Sequence, residues 1–163
     1  MYMQIVIDLA EKDKIWKNSL LSNKDMQMLV ASCLYNTSTL ADMVFLSVNF
    51  VNANEIQKLN NDFRGKNSAT NVLSFANCDD KNVFYGEQHA TLFLGELFFC
   101  FEKIKEEARD YGKTFQERLK HLFVHGILHL LGYDHIFEQD RKKMEKLEEK
   151  ILGQFGVFGI YTY

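Results

Sequence analysis

The sequence contains no proline. Turns must therefore be made by Gly, Asn, Asp and Ser, and no helix is interrupted by a ring that lacks an N–H. Cysteine is scarce: Cys33, Cys78 and Cys100 are widely spaced, and none falls in a CxxC pair. This argues against a disulfide framework and for free thiols in a reducing cytosol. Long apolar runs are missing too. The apolar start, MYMQIVIDLA, runs straight into EKDK, which is too short for a signal segment or a span, and no other stretch approaches a spanning helix. The expected location is the cytoplasm, with no membrane partner. Nor is there an excess of positive charge. Lys and Arg number 19 against 22 Asp and Glu, for a net charge of -3. The total charge does not advertise nucleic-acid binding, although a local basic patch can sit on an acidic body.

What remains is ordinary for a globular chain. The 163 residues are 47% hydrophobic and 25% charged, enough for one domain with a real core. With 14 Phe, that core is expected to be Phe-rich. No repeat, low-complexity tract or linker appears, so residues 1–163 read as a single domain. Residues 3–8 alternate as a strand. Residues 24–36 carry Met26, Leu29, Val30, Cys33 and Leu34 at helical spacing. Residues 42–51 are a strand rich in Val and Phe, and Asn52 then caps a short helix. Residues 70–76 and 91–100 are further strands, with Gly95 marking a bulge or a close approach.

Three helical segments follow. Residues 101–111 are amphipathic and end at Gly112. Thr114 with Glu117 fits a capping box, and opens a helix that runs to about Leu131 and stops at Gly132. A last helix covers about 137–153, held to the core by Met144, Leu147 and Ile151, with its charges on solvated faces. The final ten residues fit either a short strand or a docked tail. Strands and helices mix without strict alternation. The expected class is α+β (α/β-type): a single mixed sheet of about four strands with helices packed on it, and a metal site at the end of a buried central helix.

The chemistry concentrates in HGILHLLGYDH. His125 and His129 are four apart in a helix, so both imidazoles project from one face about a turn apart. Gly132 can take positive φ and reverse the chain, which brings His135 round to a third coordination position. Three neutral nitrogens with a position left open for water are the arrangement of a catalytic zinc. The segment LFVHGILHLL is apolar nearly all round, so the helix is buried. Buried imidazoles need partners, and a metal supplies one for each ring. A lone histidine on such a helix is more often a hydrogen-bonded core residue. A pair is ambiguous, and a third histidine at a glycine-broken turn tips the reading to metal. His121, one turn earlier, reads as an outer or core partner, and His89 as an exposed loop residue. Imidazole also suits nickel, copper and iron, so zinc is the expectation rather than a necessity.

The spacing resembles the HExxHxxGxxH of one class of zinc proteases. Gly126, however, follows His125 where those proteases carry the glutamate base, and glycine cannot take a proton.

The histidine block is also very similar to HGxLHLxGYDH, the signature of the YbeY family of bacterial endoribonucleases. Residues 59–75, LNNDFRGKNSATNVLSF, resemble that family's LNxxYRGKDxPTNVLSF. LGELFFC at 94–100 resembles its LGDIxIC. The departures are Glu96 for Asp, Ser68-Ala69 where a Pro often precedes Thr70, and Phe63 for Tyr. The resemblance implies one divalent ion, zinc or zinc-like, on His125, His129 and His135. It implies a single-strand-specific endoribonuclease that acts in ribosomal RNA maturation, at the 3′ end of the small-subunit RNA, and in ribosome quality control. The partners implied are single-stranded RNA and the ribosome, with no DNA. It also places the family's essential arginine at Arg64. Alone, FRGK would read as a solvated surface turn.

Under that reading a metal-bound water is the nucleophile, which suits the missing glutamate. Arg64 is the phosphate clamp, Lys66 adds charge, and Asn71 and Ser74 are weaker candidates for the same cleft. Asp134 reads either as an orienting carboxylate for His135 or as a turn cap. Two alternatives share the metal geometry: a metallopeptidase-like hydrolase with its base elsewhere, and a non-enzymatic, metal-stabilised ribosome-binding factor.

Overall fold

The computed structural model describes residues 2–11, 13–77, 83–85 and 90–161. Three neighbouring parallel strands form one side of the sheet. They are β1 (Gln4–Glu11), at its edge, β2 (Met43–Val51) and β5 (Ala90–Cys100). β3 (Val72–Ala76) runs antiparallel along β5 from Gly95 to Phe99, giving the order β1-β2-β5-β3. A three-residue strand, β4 (Val83–Tyr85), pairs antiparallel with the start of β5 and was not foreseen in the sequence. The mixed sheet and its helices are the α+β arrangement that the sequence pattern predicts.

Among the described residues five α-helices accompany the sheet: α1 (Asn23–Asn36), α2 (Ala53–Arg64), α3 (Phe101–Asp110), α4 (Phe115–Leu130) and α5 (Glu138–Gly153). Their ends follow local chemistry. Asn52 with Glu55, and Thr114 with Glu117, both close capping boxes, which satisfy amide groups that have no partner within the helix. The core lies between one sheet face and helices α1, α3, α4 and α5. Val44, Leu46, Val48 and Phe50 of β2 point into it. α2 covers the other face, where Ile56 packs with Val51, Leu73, Phe98 and Cys100. The core is partly phenylalanine, as expected: Phe50, Phe99 and Phe123 are fully buried and stack in sequence. Trp16, in a 3-10 turn unforeseen in the charged run KDKIW, is also fully buried and donates its indole N–H to Val51 O at 2.9 Å.

Gly95 proves to be both a bulge and a close approach. The register between β2 and β5 slips there, from Phe45 opposite Phe93 to Leu46 opposite Gly95. The extra residue switches the parity of the strand, so Leu92, Leu94, Leu97 and Phe99 all reach the core. A side chain at Gly95 would stand 2.1 Å from Phe75 O, and its φ of 129° is open only to glycine.

The last residues resolve into a docked tail. Among the described residues no strand follows α5, and Val157 and Ile160 are buried against the helical core. Cys33 and Cys100 are free, buried thiols; burial pushes the Cys100 thiol up to about 11, out of reactive range. Cys78 and His89 lie outside the described residues.

Candidate metal centre

α4 is a buried helix with one polar stripe. Arg118, His121, His125 and His129 succeed each other at helical spacing, flanked by the buried Leu119, Leu122, Phe123, Val124, Ile127 and Leu128. The helix can lie close to the sheet because residue 126 is glycine. A Cβ there would come within 2.8 Å of Leu97 Cδ2 and 3.4 Å of Ser74 Oγ, and Leu97 is itself fully buried. The position that carries a general base in the peptidase pattern is here the contact between helix and sheet.

At the C-terminal end of α4 the chain reverses through Gly132, with φ 93°. His135 returns to face the pair on the helix. One nitrogen from each of His125, His129 and His135 lies within 4.8 Å of the others. The Nε2 atoms of His125 and His129 are 3.0 Å apart.

The outer nitrogens decide what this arrangement can hold. His125 Nδ1–H donates to Glu148 Oε1 at 2.5 Å, and His129 Nδ1–H donates to the Tyr133 carbonyl at 2.9 Å. A neutral imidazole has one N–H, so these partners leave both Nε2 atoms as lone pairs directed at one another. Two such lone pairs at this separation repel unless a positive centre, a shared proton or a metal ion, lies between them. The donor set, with an exposed third histidine on the open side, fits a divalent metal ion. Burial, and then the cost of adding positive charge beside two other imidazoles, depress the pKa of His129, which favours the neutral form that binds metal.

Glu148 is the correction to the sequence reading of α5. Its neighbours Glu145, Lys146 and Glu149 lie on solvated faces, but Glu148 is 0% exposed. Burial alone would raise its pKa. The bonds from His121 and His125 outweigh burial and hold the carboxyl below its usual range, as a carboxylate. The signal was in the spacing: Glu148 stands four residues after Met144 and three before Ile151, on the apolar stripe itself.

The three histidines open onto a cleft of about 710 Å3. Arg64, Lys66, Asn71 and Ser74 line the same cleft. Arg64 leaves the end of α2 just before Gly65, whose φ of 67° turns the chain. Its guanidinium donates one bond to Ser74 O at 2.9 Å and lies 5.4 Å from the centre of the Phe75 ring. Asp134 is occupied locally, since its Oδ1 accepts from the His135 backbone N–H at 2.7 Å. That is the turn-cap role. Glu96 is elsewhere. After the bulge it points away from α4, into a separate cleft with Asp8, Ser47 and Phe75 on the other side of the sheet. The net charge of -3 therefore conceals a cleft with two cations, three imidazoles and, among its described lining residues, a single carboxylate.

Fold and site together define an α+β protein with a three-histidine cluster suited to a divalent metal. A family model described as Endoribonuclease YbeY matches residues 10–156. Curated relatives agree. Endoribonuclease YbeY of Paramagnetospirillum magneticum is 44% identical over 117 residues, which is 71% of this chain and 70% of the relative. Endoribonuclease YbeY of Staphylococcus epidermidis is 34% identical over 152 residues, 93% of this chain and 96% of the relative. The solution structure of TM1509 from Thermotoga maritima superposes with a TM-score of 0.55 at 27% identity, covering 93% of this chain and 92% of that one. This chain belongs to the YbeY endoribonuclease family. Among the described residues no helix is long and apolar enough to cross a membrane.

Proposed function

We propose that residues 1–163 form a single metal-dependent hydrolase domain, an endoribonuclease that cuts single-stranded RNA with one divalent ion, zinc, held by His125, His129 and His135. The observation that carries this reading is the shared cleft: the histidine nitrogens and Arg64 line one cavity. When bound, the ion supplies Lewis acidity, which makes water a nucleophile near neutral pH and offsets charge on a phosphoryl oxygen.

The chain's own groups supply the rest. Arg64 is anchored by a single bond to Ser74 O, and the remaining donors of its fork can grip a phosphate bidentately. Lys66 adds a point charge on the same wall. Glu148 and the Tyr133 carbonyl hold the His125 and His129 rings by their Nδ1–H groups. Gly126 offers no base beside the histidines, which disfavours the peptidase alternative. The family names, together with the cationic cleft, favour a nuclease over a non-enzymatic ribosome-binding factor. By the family resemblance the substrate is ribosomal RNA, at the 3′ end of the small-subunit molecule, during ribosome maturation in the cytoplasm.

The test is cleavage of a single-stranded RNA by the purified, metal-loaded protein, with His129→Ala and Arg64→Ala prepared in parallel to expose contaminating nucleases. Cleavage by the wild type alone supports the reading. RNA left intact at every salt concentration, or cut equally by His129→Ala, would remove it. Elemental analysis of protein purified without a histidine tag identifies the metal.

A further inference from the structure

Glu148 is the most deeply buried carboxylate described in the chain, and it is not among the residues that line the histidine cleft. It accepts from three donors contributed by two elements. His125 Nδ1–H reaches Oε1 at 2.5 Å. Tyr161 of the docked tail donates its hydroxyl to Oε2. His121 completes the set, and its tautomer follows from its other neighbour. Arg118 Nη1 stands 2.9 Å from His121 Nδ1, and a guanidinium can only donate. His121 Nδ1 is therefore the acceptor, and Nε2 carries the proton that faces Glu148 Oε2 at 3.2 Å. Burial depresses the pKa of His121 and keeps it neutral.

The order of donors runs one way, from Arg118 to His121 to Glu148, and meets the bond from His125 at the carboxylate. Arg118 is fixed in turn by Glu107 Oε2, at 2.7 and 2.9 Å, and Glu107 accepts from Asn71 Nδ2 at 3.0 Å. Asn71 lines the same cleft as His125. The chain of bonds thus begins and ends in one cavity while crossing the interior through α5, α4 and α3. A carboxylate with two oxygens and three N–H or O–H donors has no freedom to rotate, and the only donor of the three that belongs to the histidine cluster is His125.

We infer that Glu148 is a positioning residue, which fixes the His125 ring and its Nδ1–H tautomer so that Nε2 is delivered as a metal ligand, and that His121 and Tyr161 act by holding Glu148. The inference rests on the metal reading of the three histidines. A merely structural Glu148 would support the packing of α5 on α4 but would leave the tautomer of His125 free.

Two measurements separate the possibilities. Zinc affinity is read by chelator competition for the wild type, Glu148→Gln and His129→Ala. The tautomer of His125 is read by long-range proton–nitrogen NMR on the metal-free proteins. The wild type should bind zinc and show His125 as Nδ1–H, while His129→Ala should not bind. Glu148→Gln replaces one acceptor oxygen by a donor. It should lose about 10–100-fold in affinity, the usual effect of removing an outer partner, and should show His125 divided between tautomers. If Glu148→Gln fails to fold, Glu148→Met fills the buried volume without charge and carries the same expectation. Zinc affinity within about twofold of the wild type in a folded Glu148 variant overturns the proposal while leaving the metal reading intact. So does a wild-type His125 protonated on Nε2. A wild type that binds no zinc removes both.

Discussion

His121 and His129 stand at equal distances on either side of His125, on the same stripe of the same buried helix. Their fates are opposite. His121 has protein partners on both ring nitrogens: Arg118 on one, and Glu148 and Tyr161 on the other. His129 has a protein acceptor on Nδ1 alone, and its Nε2 faces His125. Neither residue type nor helical periodicity distinguishes the two positions. What does is the supply of partners at each end of α4. The N-terminal half lies against α3, α5 and the tail, which satisfy every polar atom on the stripe. The C-terminal half opens on a cleft, and its lone pairs are left for something else.

The sharpest way to break this contrast is to remove its cleft side. His129→Ala should abolish zinc binding and RNA cleavage together. Its loss of affinity should exceed the roughly 10–100-fold expected of an outer partner, as measured by chelator competition. Unchanged affinity would mean that the two ends of α4 do not differ in the way described. Arg64→Ala comes next. It should reduce kcat by about 10²–10³, the range for losing one donor to developing charge, with zinc affinity unaltered. It should also flatten the slope of log affinity against log salt by about 0.7, the contribution of one phosphate contact on a single strand. A slope equal to the wild type's would show that Arg64 meets no phosphate.

Gly126→Glu, which restores the peptidase pattern on paper, tests the packing between the two halves. The side chain must displace the buried Leu97, so overpacking alone should lower stability by about 1–3 kcal/mol in a urea titration. A variant as stable as the wild type would show that α4 has room to retreat from the sheet. The smallest effect belongs to the inner histidine. His121 has a folded-state pKa below its unfolded value, so below about pH 6.5 the unfolded chain takes up the proton first. Its contribution is complete above that value and is lost as pH falls towards the folded pKa, by up to about 1.4 kcal/mol per pH unit. His129, whose pKa is also lowered, loses stability in the same direction, so the effect is read in metal-free His129→Ala, whose urea midpoints should still fall between about pH 7 and 5. Flat midpoints would mean that His121 is not held neutral by its surroundings. Glu148, whose pKa is also lowered, adds to the loss only at more acidic pH.

Much of this was legible in the sequence because it was local. Periodicity in 24–36 and 42–51, the caps at Asn52 and Thr114, and the glycine stops at 112 and 132 all depend on residues a few positions apart. So did the histidine cluster, since one helix and one turn bring it together. The bulge at Gly95 was visible as a glycine inside an apolar strand. What escaped was of two kinds. β4 and the Trp16 turn are too short for any period to register. Glu148, Arg118 and Glu107 look like surface charges, and only the approach of α3, α5 and the tail makes them an interior network. In Glu148 the signal was present but masked: it occupies an apolar-stripe position within a run of exposed charges. Arg64 was legible only through the family resemblance, because its role depends on β3 lying beside the end of α2.

The contact of Gly126 with Leu97 has a meaning for ancestry as well. A change from glycine to glutamate is among the simplest a gene can make, and here it would complete the motif of a neighbouring hydrolase class. The helix already carries the histidines at the right spacing, so the two chemistries look adjacent. They are separated by the width of a methyl group. A lineage crossing from one to the other would have to shrink Leu97 or lift α4 off the sheet as well as change the glycine. The glycine that lets α4 lie so near the sheet also closes the shortest road from this histidine pattern to that of the peptidases.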